Sequence, residues 1–229
     1  MNTKTYRKIA TLVTTAAIAF GGLVTAQSAS AEVTSAPASE SYTVADYRDY
    51  LLETDAATLQ QFDQLDSTDQ SKFVELMQDP NFLQAAFNST GDSLPDGLEI
   101  VNSSGESRIA EHSQTPGERV TYLTWAETDM NLFGITMVTL RMEMDYTVSG
   151  TSVTAVNRYE AFVVRNINPL TTITLDANSA YPSGGTALHT AVFGYNLGPI
   201  EDLSVQIGSI KGQITAQYTG LYTTSWAKV

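Results

Sequence analysis

The sequence predicts an α+β fold: a small N-terminal cluster of short helices followed by an antiparallel β-sandwich or barrel-like domain. Three observations carry this expectation. Helix-capping patterns crowd into residues 43–80, period-two alternation takes over from Leu98, and short glycine-bearing turns separate the alternating runs.

Both regions are preceded by a segment with the order of a secretory signal. Lys4, Arg7 and Lys8 form a positive start, and "IATLVTTAAIAFGGLVTA" follows as an apolar, small-residue stretch. Ala29 and Ala31 then stand at the small-residue positions before a cut between Ala31 and Glu32. Residues 1–31 are therefore expected to be a removable signal peptide, leaving 198 residues from Glu32 to Val229. No later stretch is apolar enough to span a membrane as a helix. The mature chain is long enough to bury a core without staples. It has to be, because it contains no cysteine. This combination fits a secreted or cell-envelope-associated bacterial protein. Removing the signal leaves 9 of the 12 basic residues against all 25 acidic ones, a formal charge of −16. Such a chain is repelled by nucleic acid and by anionic lipid.

Residues 32–41, "EVTSAPASES", are small and polar and read as a disordered spacer. Residues 42–92 read as an acidic segment of short helices. Thr43 with Asp46 has capping-box spacing, and Asp55 is placed to cap the next helix. Ser67 with Gln70 repeats the box, and Asp79 precedes Pro80 at a first helical position. Gly91 is suited to end the last helix. Residues 40–97 carry 12 acidic and 2 basic residues, which suits a solvated outer face.

Residues 98–229 form the antiparallel β region, with strands expected at 98–102, 107–112, 119–127, 171–177 and 186–196. The clearest strand is 134–148, where Val138, Leu140, Met142, Met144 and Tyr146 fall on one side and Thr139, Arg141, Glu143, Asp145 and Thr147 on the other. A two-residue turn at Ser149-Gly150 would pair Tyr146 with Val153 and Met144 with Ala155. It would also set Arg141 against Arg158, a like-charge pair that only acidic diagonals could offset. A second hairpin is expected at Lys211-Gly212, between Leu203, Val205, Ile207 and Ile214, Ala216, Tyr218. "NST" (88–90) and "NSS" (102–104) read as polar loops.

Chemistry is thin. In "YPSGGTALHTAVFGYN", His189 alternates in phase with Ala187, Ala191, Phe193 and Tyr195, so it reads as a strand residue. Ser183 lacks the G-x-S-x-G frame of a nucleophile elbow. His112 and His189 are the only histidines, and without cysteine they give no zinc-ligand spacing. "DQLDSTD" (63–69) lacks the central glycine of a calcium loop, so Asp63, Asp66 and Asp69 read as a solvated face and a helix start. No phosphate loop or dinucleotide fingerprint is present. The sequence singles out no catalytic, cofactor-binding or metal-ligating residue and implies no cofactor. Three function classes follow. The first is a non-catalytic exported protein that binds an extracellular or cell-envelope partner; Trp125 or Trp226 on a β-face would be its natural contact residues, although each by itself reads as core or strand-end packing. The second is an extracellular hydrolase joining a histidine to carboxylates. The third is a membrane-active or pore-forming β protein.

Overall fold

A computed structural model describes residues 41–88, 94–109, 119–198 and 205–229. Four short helices, α1 (Val44–Thr54), α2 (Ala56–Phe62), α3 (Ser67–Gln78) and α4 (Pro80–Asn88), precede eight strands. These are β1 (Leu98–Ile109), β2 (Arg119–Leu132), β3 (Ile135–Ser149), β4 (Ser152–Asn166), β5 (Thr171–Ser183), β6 (Thr186–Leu197), β7 (Val205–Gln217) and β8 (Tyr222–Lys228). The strands form two antiparallel meanders, β1-β2-β3-β4 and β5-β6-β7-β8. The two sheets pack face to face around one core, to which the helices also contribute. The arrangement is sandwich-like: β1 and β8 touch without sharing a ladder, so the sheets do not close into a barrel. Among the described residues no helix is long and apolar enough to cross a membrane. The signal segment, the spacer, Gly91 and His112 lie outside the described residues.

The caps explain the helix starts. Thr43 and Asp46 make the reciprocal box, and Asp55 Oδ1 accepts the Thr58 N–H at 3.0 Å. Asp79 Oδ1 accepts from Asn81 N ahead of Pro80. One cap moves: Asp66, not Ser67, caps α3, accepting from Thr68 N and Asp69 N. A carboxylate at the position before Ser67 reaches both free N–H groups. Gln70 bends back instead to the carbonyls of Phe62 and Leu65. Tyr47, Phe62 and Phe73 pack mutually at centroid distances of 5.2–5.6 Å. The helices sit at the end of the sandwich where β4 passes into β5. There the Tyr47 hydroxyl donates to Ile167 O, and Asn168 Nδ2 donates to Met77 O.

β3 keeps its expected faces, but the register of the β3–β4 hairpin changes and turns Ala155 from the Met144 side to the Thr147 side. Val138, Leu140, Met142, Met144 and Tyr146 are buried. The turn is Gly150-Thr151, with Gly150 at φ +60° and Ser149 opposite Ser152. Bulges at Asp145/Tyr146 and Thr147/Val148 shift the pairing further, so Met144 meets Tyr159 and Tyr146 meets Val156. The Arg141–Arg158 pair is gone, since Asp145 faces Arg158; the like-charge pair of the observed register is Glu143 opposite Glu160, and Arg158 bridges the two. From Met144 to Leu140 the slip is an even number of residues, which leaves each side chain on its predicted face there.

The hairpin expected at Lys211-Gly212 does not form. β7 runs straight through it, and the turn comes later, with Gly220 at φ +83°. Gly212 faces the opposing sheet, where a Cβ would collide with Met142 Sδ and lie 2.6 Å from the Trp226 ring. The glycine serves a close approach of two sheets, not a turn. The strands expected at 98–102 and 107–112 are one edge strand, so Asn102, Ser103 and Ser104 lie in β1 rather than in a loop. Ser89 and Thr90 lie outside the described residues. β5 extends to Ser183 and carries Pro182, which an edge strand tolerates.

Candidate functional site

His189 lies on the inner face of β6, cross-strand from Ala180 and Ile214, and has no exposed surface. Its Nε2–H donates to Asn178 Oδ1 at 2.8 Å, and the Tyr159 ring meets it edge-on at 5.5 Å. Among the described residues its buried Nδ1 has no hydrogen-bond partner. Burial pushes its pKa down to about 4, so the ring is neutral at neutral pH. Ser183 stands at the far end of β5, next to the turn. The strand reading of "TALHTAVFGYN" is therefore the observed one.

A second polar cluster sits between the sheets at the end away from the helices. The Tyr146 hydroxyl donates to Glu106 Oε2 at 2.9 Å, and Thr124 Oγ1 donates to the same oxygen at 3.1 Å. Tyr122 stacks on Tyr146 at 5.4 Å. Burial and the Glu106 carboxylate push the Tyr146 hydroxyl far above its usual range. Tyr146 and Thr124 are fully buried, which withholds both hydroxyls from an incoming substrate.

The outer face of the β1–β4 sheet is the reachable polar surface. Trp125 lies against Gly105, its cross-strand partner, where a Cβ would come within 2.6 Å of the indole. The Arg141 guanidinium lies 4.6 Å from the centroid of the same ring. Arg141 Nη1 donates to Glu127 at 3.1 Å and its Nε to Glu143 at 2.8 Å. Arg158 joins Glu143 to Glu160 at 3.3 and 3.4 Å. Phe162 and Val164 of β4 are exposed beside this ladder.

Where α1 and α2 overhang this face there is an open cleft of about 540 Å³, within the range of ligand sites. Tyr50, Thr54 and Asp55 form its helical wall, and Glu127, Asp129, Thr139 and Arg165 its sheet wall. Arg165 Nη2 bonds Asp55 at 2.9 Å and also the Thr58 hydroxyl, and its Nε donates to Thr136 O at 2.8 Å. The Thr58 N–H, with help from Arg165, holds Asp55 below the usual carboxylate range. Thr139 Oγ1 donates to Asp129 Oδ1. Asp55 is paired with Arg165 and Glu127 with Arg141, so among the described residues Asp129 is the lining carboxylate without an ion-pair partner, and the cleft is rich in acceptors. It is suited to hydroxyl or ammonium donors. Among the described residues no group of three or more His, Asp or Glu side chains could hold a metal ion.

Sequence reasoning named Trp125 and set Arg141 and Arg158 together with Glu143 on the outer side of the β3 strand, and the structure brings these to one face, joined by Glu160. It missed the cleft. Asp55 was legible only as a helix cap, and nothing local ties it to Arg165, which lies on β4. Asp63 pairs with Arg48 at 2.9 Å, Asp66 caps α3 and Asp69 lies in its first turn, so the "DQLDSTD" carboxylates do not converge. Trp226 is on the inner face of β8 against Phe193, in keeping with its reading as a core or strand-end residue. No protein-family model matches this sequence, and no curated protein or solved structure gives a significant match.

Proposed function

We propose that this is an exported bacterial binding protein that acts without catalysis at the cell envelope or in the medium. It is released by cleavage between Ala31 and Glu32, and it holds a hydroxyl- or ammonium-bearing envelope component in the cleft between α1–α2 and the outer face of the β1–β4 sheet. One observation carries the reading. The open concavity of ligand size is lined by Asp55, Glu127, Asp129 and Arg165, whereas His189 is enclosed in the core. A hydrolase built on His189 would need that base within reach of substrate, and its burial prevents this.

The test uses protein recovered from the medium and starting at Glu32, checked by mass spectrometry. A chain retaining Lys4 to Lys8 would end the export part of the reading. Co-sedimentation with isolated cell envelopes is then compared between wild type and a Glu127→Ala/Asp129→Ala variant. The variant should bind at least about tenfold more weakly, as expected for loss of charged hydrogen-bond partners. Equal binding by both removes the cleft from the proposal. Release of soluble sugar or peptide fragments during incubation would move the protein to the hydrolase class.

A further inference from the structure

The charge balance of the cleft under α1 and α2 narrows what can enter it. Of its three carboxylates, Asp55 is held by Arg165 at 2.9 Å and Glu127 by Arg141 at 3.1 Å. Both arginines are fully engaged elsewhere as well. Arg141 also bonds Glu143 and covers the Trp125 ring, and Arg165 also bonds Thr58 and Thr136 O. Neither is left to neutralise Asp129, which has no cation partner among the described residues. Its cross-strand neighbour Thr139 donates to Oδ1 and is itself buried, which holds the carboxylate in place. Among the described residues Oδ2 has no donor. The cleft therefore carries one uncompensated negative charge. Asp55 and Glu127 flank it with further lone pairs, which accept from neutral donors.

We propose that the cleft selects an amino sugar with a free, protonated amine: the ammonium donates to Asp129 Oδ2, and ring hydroxyls donate to the remaining lone pairs of Asp55 and Glu127. This rests on the cleft being the site of envelope binding and names the chemistry that it reads. A neutral sugar would serve Asp55 and Glu127 but leave Asp129 uncompensated. An alkylammonium such as a lysine side chain would compensate Asp129 but bring no donors to the other two. An anionic sugar would be repelled by all three. Size agrees. A cavity of about 150 Å³ takes a benzene ring, and the cleft, at about 540 Å³, has ample room for a sugar ring with its substituents. Tyr50 and Val164 line the same space and offer apolar contact to the ring carbons.

The test uses the mature chain, residues 32–229, at about pH 6, where primary amines are protonated. Three probes are titrated by NMR: methyl glucosaminide, its N-acetylated form, and Nα-acetyl-lysine amide. The first carries one ammonium and the ring hydroxyls, the second only the hydroxyls, the third only the ammonium. The free-amine sugar should bind at least about tenfold more tightly than the acetylated one, since a hydrogen bond between ionised groups is about twice as strong as a neutral one. It should also bind more tightly than the lysine derivative. Asp129→Asn should bring the two sugars level. Glu75→Gln, which removes the same charge from an exposed position on α3, should leave the preference intact. An acetylated sugar or a lysine derivative that binds as tightly as the free amine overturns the proposal. So does a Glu75→Gln effect equal to that of Asp129→Asn, or a wild type that binds none of the probes. If envelope co-sedimentation still falls in Glu127→Ala/Asp129→Ala while the two sugars bind alike, the amine assignment fails and the envelope reading stands. If the amine preference holds while that double variant sediments like wild type, the envelope reading fails and the cleft remains an amino-sugar site.

Discussion

The two tryptophans of this chain use one local device on opposite sides of the fold. Trp125 is cross-strand from Gly105, and Trp226 is cross-strand from Gly212. In each pair the indole lies where a glycine Cβ would be. The first pair faces outward, and an arginine held by two glutamates covers it. The second faces inward, against Phe193 and the opposing sheet, beside a cavity. A glycine in a strand therefore does not announce a turn. It makes room for a ring, and the phase of the alternation decides whether that ring serves the surface or the core.

The largest expected effect tests that phase on the strand facing both devices. Met144 is 1% exposed on the inner face, while its neighbour Glu143 bridges Arg141 and Arg158 on the outer one. Met144→Asp buries an unpaired carboxylate and should cost about 4 kcal/mol. Glu143→Ser removes partly exposed ion pairs and should cost no more than about 1 kcal/mol. Urea melts of the two variants check this. Similar midpoints would mean that inside and outside are not distinct on β3.

Next in size is the acid sensitivity of the inner face. The pKa of His189 is depressed from 6.5 to about 4 by burial. Its contribution is therefore fully present above pH 6.5 and is lost as pH falls toward 4, because only the unfolded chain takes up the proton in that window. The loss amounts to about 3 kcal/mol at most. His189→Gln should flatten this part of the stability profile while changing stability at pH 7.5 only modestly. An unchanged acid slope in the variant would show that other groups, not the sealed imidazole, set the acid response.

These two experiments also mark how far the sequence could be read. Faces were legible because a period of two is a local property, and burial of Met144 and His189 follows from their neighbours at i±2. Register was not. It depends on where bulges fall, and the bulges at Asp145/Tyr146 and Thr147/Val148 leave no composition signature. Gly212 was read as a turn because glycine tolerates positive φ, yet its only requirement is space against Met142 and Trp226, which belong to β3 and β8. The cleft was invisible for the same reason: Asp55 and Arg165 meet only through tertiary packing.

The glycine pair itself gives the third effect. Gly212→Ala pushes a methyl into a contact closed on both sides by Met142 and Trp226, and should cost about 2–3 kcal/mol. Gly105→Ala meets the Trp125 ring, which lies on the outer face of the sheet under the Arg141 side chain and can shift there, and should cost about 1 kcal/mol. Equal costs would show that the outer indole is as tightly held as the inner one.

The smallest effect concerns what covers the outer ring. Arg141 is a partly exposed cation, with about a quarter of its side-chain surface open, paired to Glu127 and Glu143 and set over Trp125. Ion pairs at such positions are screened, and a cation over an indole near solvent contributes little by itself. Arg141→Ala should therefore cost only about 0.5–1 kcal/mol at low ionic strength. In about 1 M salt, where the screening length falls to about 3 Å, the ionic part should shrink. The difference between variant and wild type should then narrow toward what the contact with Trp125 supplies. Urea rather than guanidinium is the denaturant to use, since guanidinium would itself screen the pairs. Trp125 fluorescence, read in a Trp226→Phe background, should meanwhile report greater solvent access to the outer ring. A cost matching that of Gly212→Ala, or one insensitive to salt, would place Arg141 in the structural core of the sheet and remove the distinction between the two tryptophans.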